Sequence, residues 1–112
     1  MKRVVLSAAA AVLWIGLAGA SFAADSDSQL ETGKALFVSG ASPACAVCHT
    51  LKDSGSAGTI GPDLDELKPD VARVRTALQE GIGVMPSFAD SLDEASIDAI
   101  AAYVVHATSG GK

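Results

Sequence analysis

A chain of 112 residues is one domain's worth, and a net charge of −5 argues against nucleic acid or an anionic membrane surface as its partner. Aromatic residues are scarce, at three Phe, one Tyr and one Trp. A chain so poor in large side chains buries little apolar surface by itself, so a staple or a large apolar group is expected to complete its core.

The first segment reads as an address. Lys2 and Arg3 precede an uncharged apolar run, Val4–Ala20, and Ser21-Phe22-Ala23 presents small residues where a signal peptidase cuts. Residues 1–23 are therefore expected to be a secretory signal peptide, removed before Ala24. The rival reading is an uncleaved membrane anchor, since 17 residues is at the short end for a span. The small-residue site favours cleavage, and no stable membrane anchor is expected. The remaining 24–112 domain keeps all 13 acidic residues against six basic ones, a net charge of −7. The positive mean hydropathy of +0.35 is partly the leader's.

The first helix is predicted to open at Ser28, with Glu31 three residues on as a capping box, and to stop at Gly40. Leu30, Gly33 and Phe37 recur on one face, and Lys34 beside them is expected to reach into solvent. Then comes CAVCHT, Cys45 to Thr50, which holds both cysteines of the chain and a histidine directly after the second. Three chemistries suit thiols beside an imidazole. A structural zinc site needs four ligands, and Cys45, Cys48, His49 and His106 supply four only on paper. A thioredoxin-type disulfide wants a βαβ setting, which the pattern lacks. A C-x-x-C-H haem attachment site suits a secreted, oxidising compartment. There Cys45 and Cys48 form thioethers to the two haem vinyl groups, and His49 is the proximal iron ligand.

Two glycine-rich loops flank the second helix. The first, Lys52 to Leu67, contains TIGPDL. In a haem site the Pro62 carbonyl would fix the second nitrogen of His49, and Leu64 would pack on the porphyrin. The helix is predicted from Pro69 to Glu80, ended by Gly81, with Val71, Val74 and Leu78 on its buried face. The second loop reads GIGVMPSF and carries Met85, the only methionine beyond the leader. A lone methionine is usually a gap filler in a core. Here glycines and Pro86 shape the backbone around it, as delivery of a thioether to a fixed point requires. The third helix is predicted to begin at Ser91, to bury Ile97, Ile100, Ala101 and Val104, and to end at Gly110 and Gly111. His106, in its last turn, is the rival to Met85 as sixth ligand. It would also suit the helix dipole while facing solvent.

Taken together, these residues resemble the small bacterial class I cytochromes c, over nearly all of Gln29–Thr108. Gly33 and Phe37 match the first-helix pattern that meets the last helix, Tyr103 matches that last helix's aromatic, and CAVCH, Gly61-Pro62 and the Met85-Pro86 loop match the haem framework. The resemblance implies an all-α cytochrome c fold, with three main helices and long loops wrapped around one covalently bound haem c. It implies crossing first and last helices, His49 and Met85 as the metal ligands, and electron transfer rather than catalysis. The stretches TIGPDLDELKPD and GVMPSFADSL are similar to those of cytochrome subunits or partners of periplasmic sulfite dehydrogenases. Expected partners are thus a sulfite dehydrogenase catalytic subunit and a terminal oxidase or another cytochrome. The tryptophan that many relatives carry near the haem is missing, since Trp14 lies in the leader.

Both axial positions filled would leave no open site for a substrate, so a periplasmic one-electron carrier is expected. Two other readings stand beside it. One is a tightly bound electron-transfer subunit of a dehydrogenase complex. The other is a ligand-binding or catalytic haem protein in which Met85 is labile and Asp90 is the nearest acid.

Overall fold

The structure, a computed structural model, describes Ala11 and residues 21–110, the side chains of 21–25 apart. Most of the expected leader, and Gly111, lie outside the described residues. Three main helices are present, as expected: α1 (Ser21–Ala35), α4 (Val71–Glu80) and α5 (Glu94–Thr108). Two one-turn helices join them, α2 (Cys45–Cys48) and α3 (Leu64–Leu67). The all-α reading misses one small ladder. Strands β1 (Thr50–Leu51) and β2 (Ser56–Ala57) pair antiparallel, with Thr50 opposite Ala57 and Leu51 opposite Ser56.

The helix boundaries differ from the sequence pattern for local reasons. The first helix does not start at Ser28, which lies inside α1. Nothing between Ser21 and Ser28 is proline or glycine, so no breaker interrupts the helix there. A π-helical turn, Leu36–Gly40, carries α1 to its expected stop. Asp70, rather than Pro69, begins α4, because its carboxylate accepts the Arg73 backbone N–H at 2.8 Å. Asp93 caps α5 through Ser96 N–H at 2.8 Å, two residues beyond the expected Ser91. Ser91 is held instead in a turn, its backbone N–H donating to the Phe88 carbonyl at 3.1 Å. The expected buried face of α4 is also only partly buried. Leu78 is buried and Val74 half-buried, while Val71 is 45% exposed, because it lies outside the cavity that Val74 and Leu78 line.

The core sits where α1 crosses α5. Phe37, Ile97, Ile100 and Val104 are fully buried there, and the Phe37 ring meets the Tyr103 ring edge-on at 5.9 Å and 64°. The crossing is close because Gly33 has no side chain. A Cβ at that position would lie 2.1 Å from the Ala99 carbonyl oxygen and 2.6 Å from Tyr103 Cβ. The Tyr103 hydroxyl donates to Asp53 Oδ2 at 2.6 Å, so the loop after β1 is tied to this crossing. Lys34 is exposed, as expected, and pairs there with the same Asp53 oxygen at 3.4 Å. Arg75 joins α4 to α5 through Glu94, at 3.1 Å, and Asp98.

Candidate functional site

The CAVC segment forms a single helical turn, with the His49 backbone N–H closing on the Cys45 carbonyl at 3.0 Å. One turn places Cys45 and Cys48 on neighbouring positions of the same side. Both thiols are free and half-buried, and burial pushes the Cys45 thiol up to about 11, so it is protonated at neutral pH.

His49 leaves the turn in extended conformation and is held from behind. Its Nδ1–H donates to the Pro62 carbonyl at 2.7 Å, the contact expected from the GPDL stretch. With Nδ1 so committed, Nε2 is the nitrogen left to bind a metal. Three further hydrogen bonds fasten the supporting loop. Gly61 N–H donates to the Cys48 carbonyl at 2.7 Å, Gly58 N–H to the His49 carbonyl at 3.3 Å, and Thr50 Oγ1–H to the Gly58 carbonyl at 2.9 Å. Gly61 lies directly against the imidazole. A Cβ there would be 2.6 Å from His49 Cε1, so only glycine lets the loop approach this closely.

Met85 is presented by a tight turn in which Ile82 and Met85 exchange both backbone hydrogen bonds, at 2.9 and 3.0 Å. This turn is stitched to the end of α4. Phe88 N–H donates to the Leu78 carbonyl at 2.7 Å, and Ser87 Oγ–H donates to the Gln79 carbonyl at 2.6 Å. Those carbonyls are among the last of the helix and have no partner within it, so the loop satisfies them. Phe88 itself is buried and anchors the segment.

The structure brings all six expected site residues to one cavity of about 390 Å³: Cys45, Cys48, His49, Pro62, Leu64 and Met85 line it. Most of the remaining lining is apolar, from Phe37 on the first helical segment, Val74, Ala77 and Leu78 of α4, and Ile100 and Val104 of α5. Two thiols one turn apart, an imidazole with its Nδ1 pinned and a thioether, all around an apolar slot, fit a c-type haem. They do not fit zinc. His106 is half-buried, off the cavity, and among the described residues no three His, Cys, Asp or Glu are grouped to hold a metal ion. A thioredoxin-like setting is likewise absent among the described residues, whose only strands are the two-residue antiparallel pair. Asp90 is exposed and does not line the cavity.

Sequence reasoning missed three features of the site. One is the Phe88 anchor, legible only as the aromatic after MPS. Another is Arg73, among the described residues the one Lys, Arg, Asp or Glu on the lining. The third is an apolar rim. Ile60, Ile82 and Val84 line the mouth yet stay 66%, 63% and 86% exposed.

Comparison with known proteins agrees with this geometry. A family model described as cytochrome C oxidase, cbb3-type, subunit III matches residues 28–104. No curated protein matches the chain significantly. Among solved structures, the crystal structure of the c-type cytochrome SorU from Sinorhizobium meliloti is similar, at 44% sequence identity and a TM-score of 0.71, over 77% of this chain and 95% of that one. With the family model spanning most of the chain and the fold shared with a c-type cytochrome, the chain belongs to the cytochrome c family and has the cytochrome c fold.

Proposed function

We propose that the chain is a periplasmic one-electron carrier with a single haem c, attached through Cys45 and Cys48 and ligated by His49 and Met85. The observation that carries this reading is the convergence of those four side chains on one apolar cavity, with His49 Nδ1 already bonded to the Pro62 carbonyl at 2.7 Å. When bound, the haem supplies a one-electron iron couple, and methionine as sixth ligand raises its potential. The protein's part is positioning. Pro62 orients the imidazole and makes it more basic. The stitched turn holds the thioether, and Leu64, Phe37 and Ile100 keep water from the cavity. Among the described residues no carboxylate lines the cavity to serve as an acid or base, which favours transfer of an electron over chemistry on a substrate.

In this reading residues 1–23 are the export signal and 24–112 the working domain. Among the described residues, no helix is long and apolar enough to cross a membrane. The exposed rim of Val47, Ile60, Ile82 and Val84 is the docking surface for redox partners. The acidic surface beyond it guides a basic partner at long range, an effect that salt weakens. The donor is a sulfite dehydrogenase catalytic subunit, on the resemblance of the TIGPDLDELKPD and GVMPSFADSL stretches. The acceptor is a terminal oxidase or another cytochrome.

The test is an absorption spectrum of the exported protein, oxidised and reduced. A sharp reduced α-band, the weak oxidised iron–thioether band and indifference to carbon monoxide are expected. Carbon monoxide binding, or a high-spin oxidised spectrum, would refute Met85 ligation.

A further inference from the structure

The turn that presents Met85 has no core of its own. Between buried Leu78 and buried Phe88 no residue is buried, and Ile82 and Val84 stand out into solvent. Met85 itself is only half-buried. Packing therefore contributes little to keeping this segment closed, and its hydrogen bonds must do so.

Those bonds are arranged around a fold-back. A Cβ on Gly81 would lie 2.7 Å from the Met85 carbonyl oxygen and 2.9 Å from the Ser87 nitrogen. Gly81 permits the fold-back with a φ of +74°, which glycine adopts without steric cost. Ser87 then closes it. Its hydroxyl donates to the Gln79 carbonyl at 2.6 Å and accepts the Ala89 backbone N–H at 3.2 Å. Gln79 lies two residues before Gly81 and Ser87 two after Met85, so this bond spans the whole turn. Among the described residues from Gln79 to Ser87, only Ser87 has a hydrogen-bonded side chain. Ser87 is exposed, where water alone would satisfy a hydroxyl, yet its donor is spent on the last turn of α4.

We propose that the Ser87 hydroxyl is the clasp of the Met85 turn: the thioether stays in the cavity while the bond to Gln79 holds, and the bond must break for Met85 to swing away. The inference rests on the haem reading above and deepens it. Ser87 is not on the cavity lining, so it is a positioning residue that acts through Met85. Gly81, free to turn, and Phe88, buried in the core, are the ends of the segment that moves. An added base can take the sixth position only when Met85 has left it. Its apparent affinity therefore reports how often the turn opens.

The experiment titrates imidazole into the ferric holoproteins of wild type, S87A, S87T and Y103F and follows loss of the weak iron–thioether band. Absence of that band from wild type before imidazole is added would overturn Met85 ligation itself, and this inference with it. With the band present, S87A is expected to bind imidazole roughly fivefold more tightly, the effect of one hydrogen bond lost from the closed form alone. S87T keeps a hydroxyl and is expected to stay close to wild type. Y103F gives up a hydrogen bond of 2.6 Å away from the turn, and it too is expected to stay close to wild type. Unchanged affinity in S87A, or an equal gain in S87T or Y103F, would overturn the proposal. Should S87A not accumulate, amide exchange in the wild-type holoprotein decides the matter. The Ala89 amide loses its acceptor when Ser87 moves, so it should exchange faster with imidazole bound. Equal exchange in the two forms would overturn the clasp.

Discussion

The glycine beneath the proximal imidazole offers the sharpest test of how the site is built. In Gly61→Ala the added Cβ would lie 2.6 Å from His49 Cε1, 2.9 Å from Nδ1 and 3.0 Å from Nε2, where ordinary contact begins at 3.4 Å. The ring, or the loop that carries Gly61, must give way by about 0.8 Å. Moving the ring by that amount would stretch the 2.7 Å bond from Nδ1 to the Pro62 carbonyl to roughly 3.5 Å, at which it no longer counts as a hydrogen bond. Moving the loop instead would pull on Gly61 N–H, which donates to the Cys48 carbonyl at 2.7 Å. Either route loses about 1 kcal/mol of hydrogen bonding, plus overpacking strain of about 1–3 kcal/mol. The potential should also respond. An imidazole without its acceptor is a poorer donor to ferric iron, and about 1 kcal/mol of lost ferric stabilisation is roughly 40 mV upward for a one-electron couple. The assay is potentiometry with visible detection, paired with denaturant unfolding of the holoprotein. Gly55→Ala is the control, because nothing lies within 4 Å of its added Cβ and its φ of +70° brings backbone strain alone. Gly55→Ala should cost stability without moving the potential. If Gly61→Ala matches wild type in both potential and stability, the reasoning that Pro62 and Gly61 hold the ring is wrong.

Gly33→Ala sets two effects of opposite sign against each other. Helix propensity favours alanine by up to about 1 kcal/mol, but contacts of 2.1 Å and 2.6 Å with Ala99 O and Tyr103 Cβ force α1 off α5. A net loss of about 1–2 kcal/mol is expected in urea unfolding, and a stabilised variant would show that the crossing yields freely. Tyr103→Phe should cost about 1 kcal/mol at neutral pH by removing the bond to Asp53. The Tyr103 hydroxyl, then Lys34, holds the Asp53 carboxyl below its usual range. That contribution is complete above the ordinary Asp value and is lost as pH falls through the lowered one, so the wild-type advantage should shrink in acid. Burial, then Asp53, raises the Tyr103 phenol, so the wild type should also lose stability at strongly alkaline pH, where the unfolded tyrosine ionises. Unfolding curves recorded against pH check both limbs. Met85→Ala should open the sixth position, giving carbon monoxide binding and a potential well below wild type, read by the same spectra.

The parts of the fold that the sequence made legible are those set by side-chain pattern. The α5 stripe of Ile97, Ile100, Ala101 and Val104 is buried, and Gly33 meets the last helix as expected. The proposed haem framework was legible because covalent attachment would demand a fixed thiol spacing, and because a glycine–proline pair and a methionine between turn residues have few other uses so close together. What escaped was competition between nearby caps. Ser28-x-x-Glu31 and Ser91-x-x-Glu94 read as capping boxes, but the residues before Ser28 contain no breaker and Asp93 caps α5 better placed than Ser91. Equally invisible was the partner of Lys34. Asp53 stands 19 residues further on in a loop, and only the fold brings the two together with Tyr103. Arg73 was passed over because a charged residue in the first turn of a helix reads as solvated surface. Its significance depends on which way that turn faces.

The two sides of the site are held by different means, and this bears on how an electron carrier keeps its geometry. On the His49 side, the CAVC turn, the Pro62 carbonyl and the bonds through Gly58, Gly61 and Thr50 all converge within one loop. On the Met85 side the attachment is to the end of α4, through the carbonyls of Leu78 and Gln79, and to the core through buried Phe88. Neither His49 nor Met85, the ligands of the proposed carrier, sits on a free loop. Each loop spends its polar groups on otherwise unpaired backbone, so displacing a ligand means exposing hydrogen bonds as well as apolar surface. A one-electron change at iron alters the local charge by one unit and asks for little movement. A frame in which the loops of both proposed ligands are bonded into backbone suits that demand, because it would hold the same coordination in both oxidation states. In the proposed carrier, the exposed apolar rim of Ile60, Ile82 and Val84 is where a partner would come close and leave again.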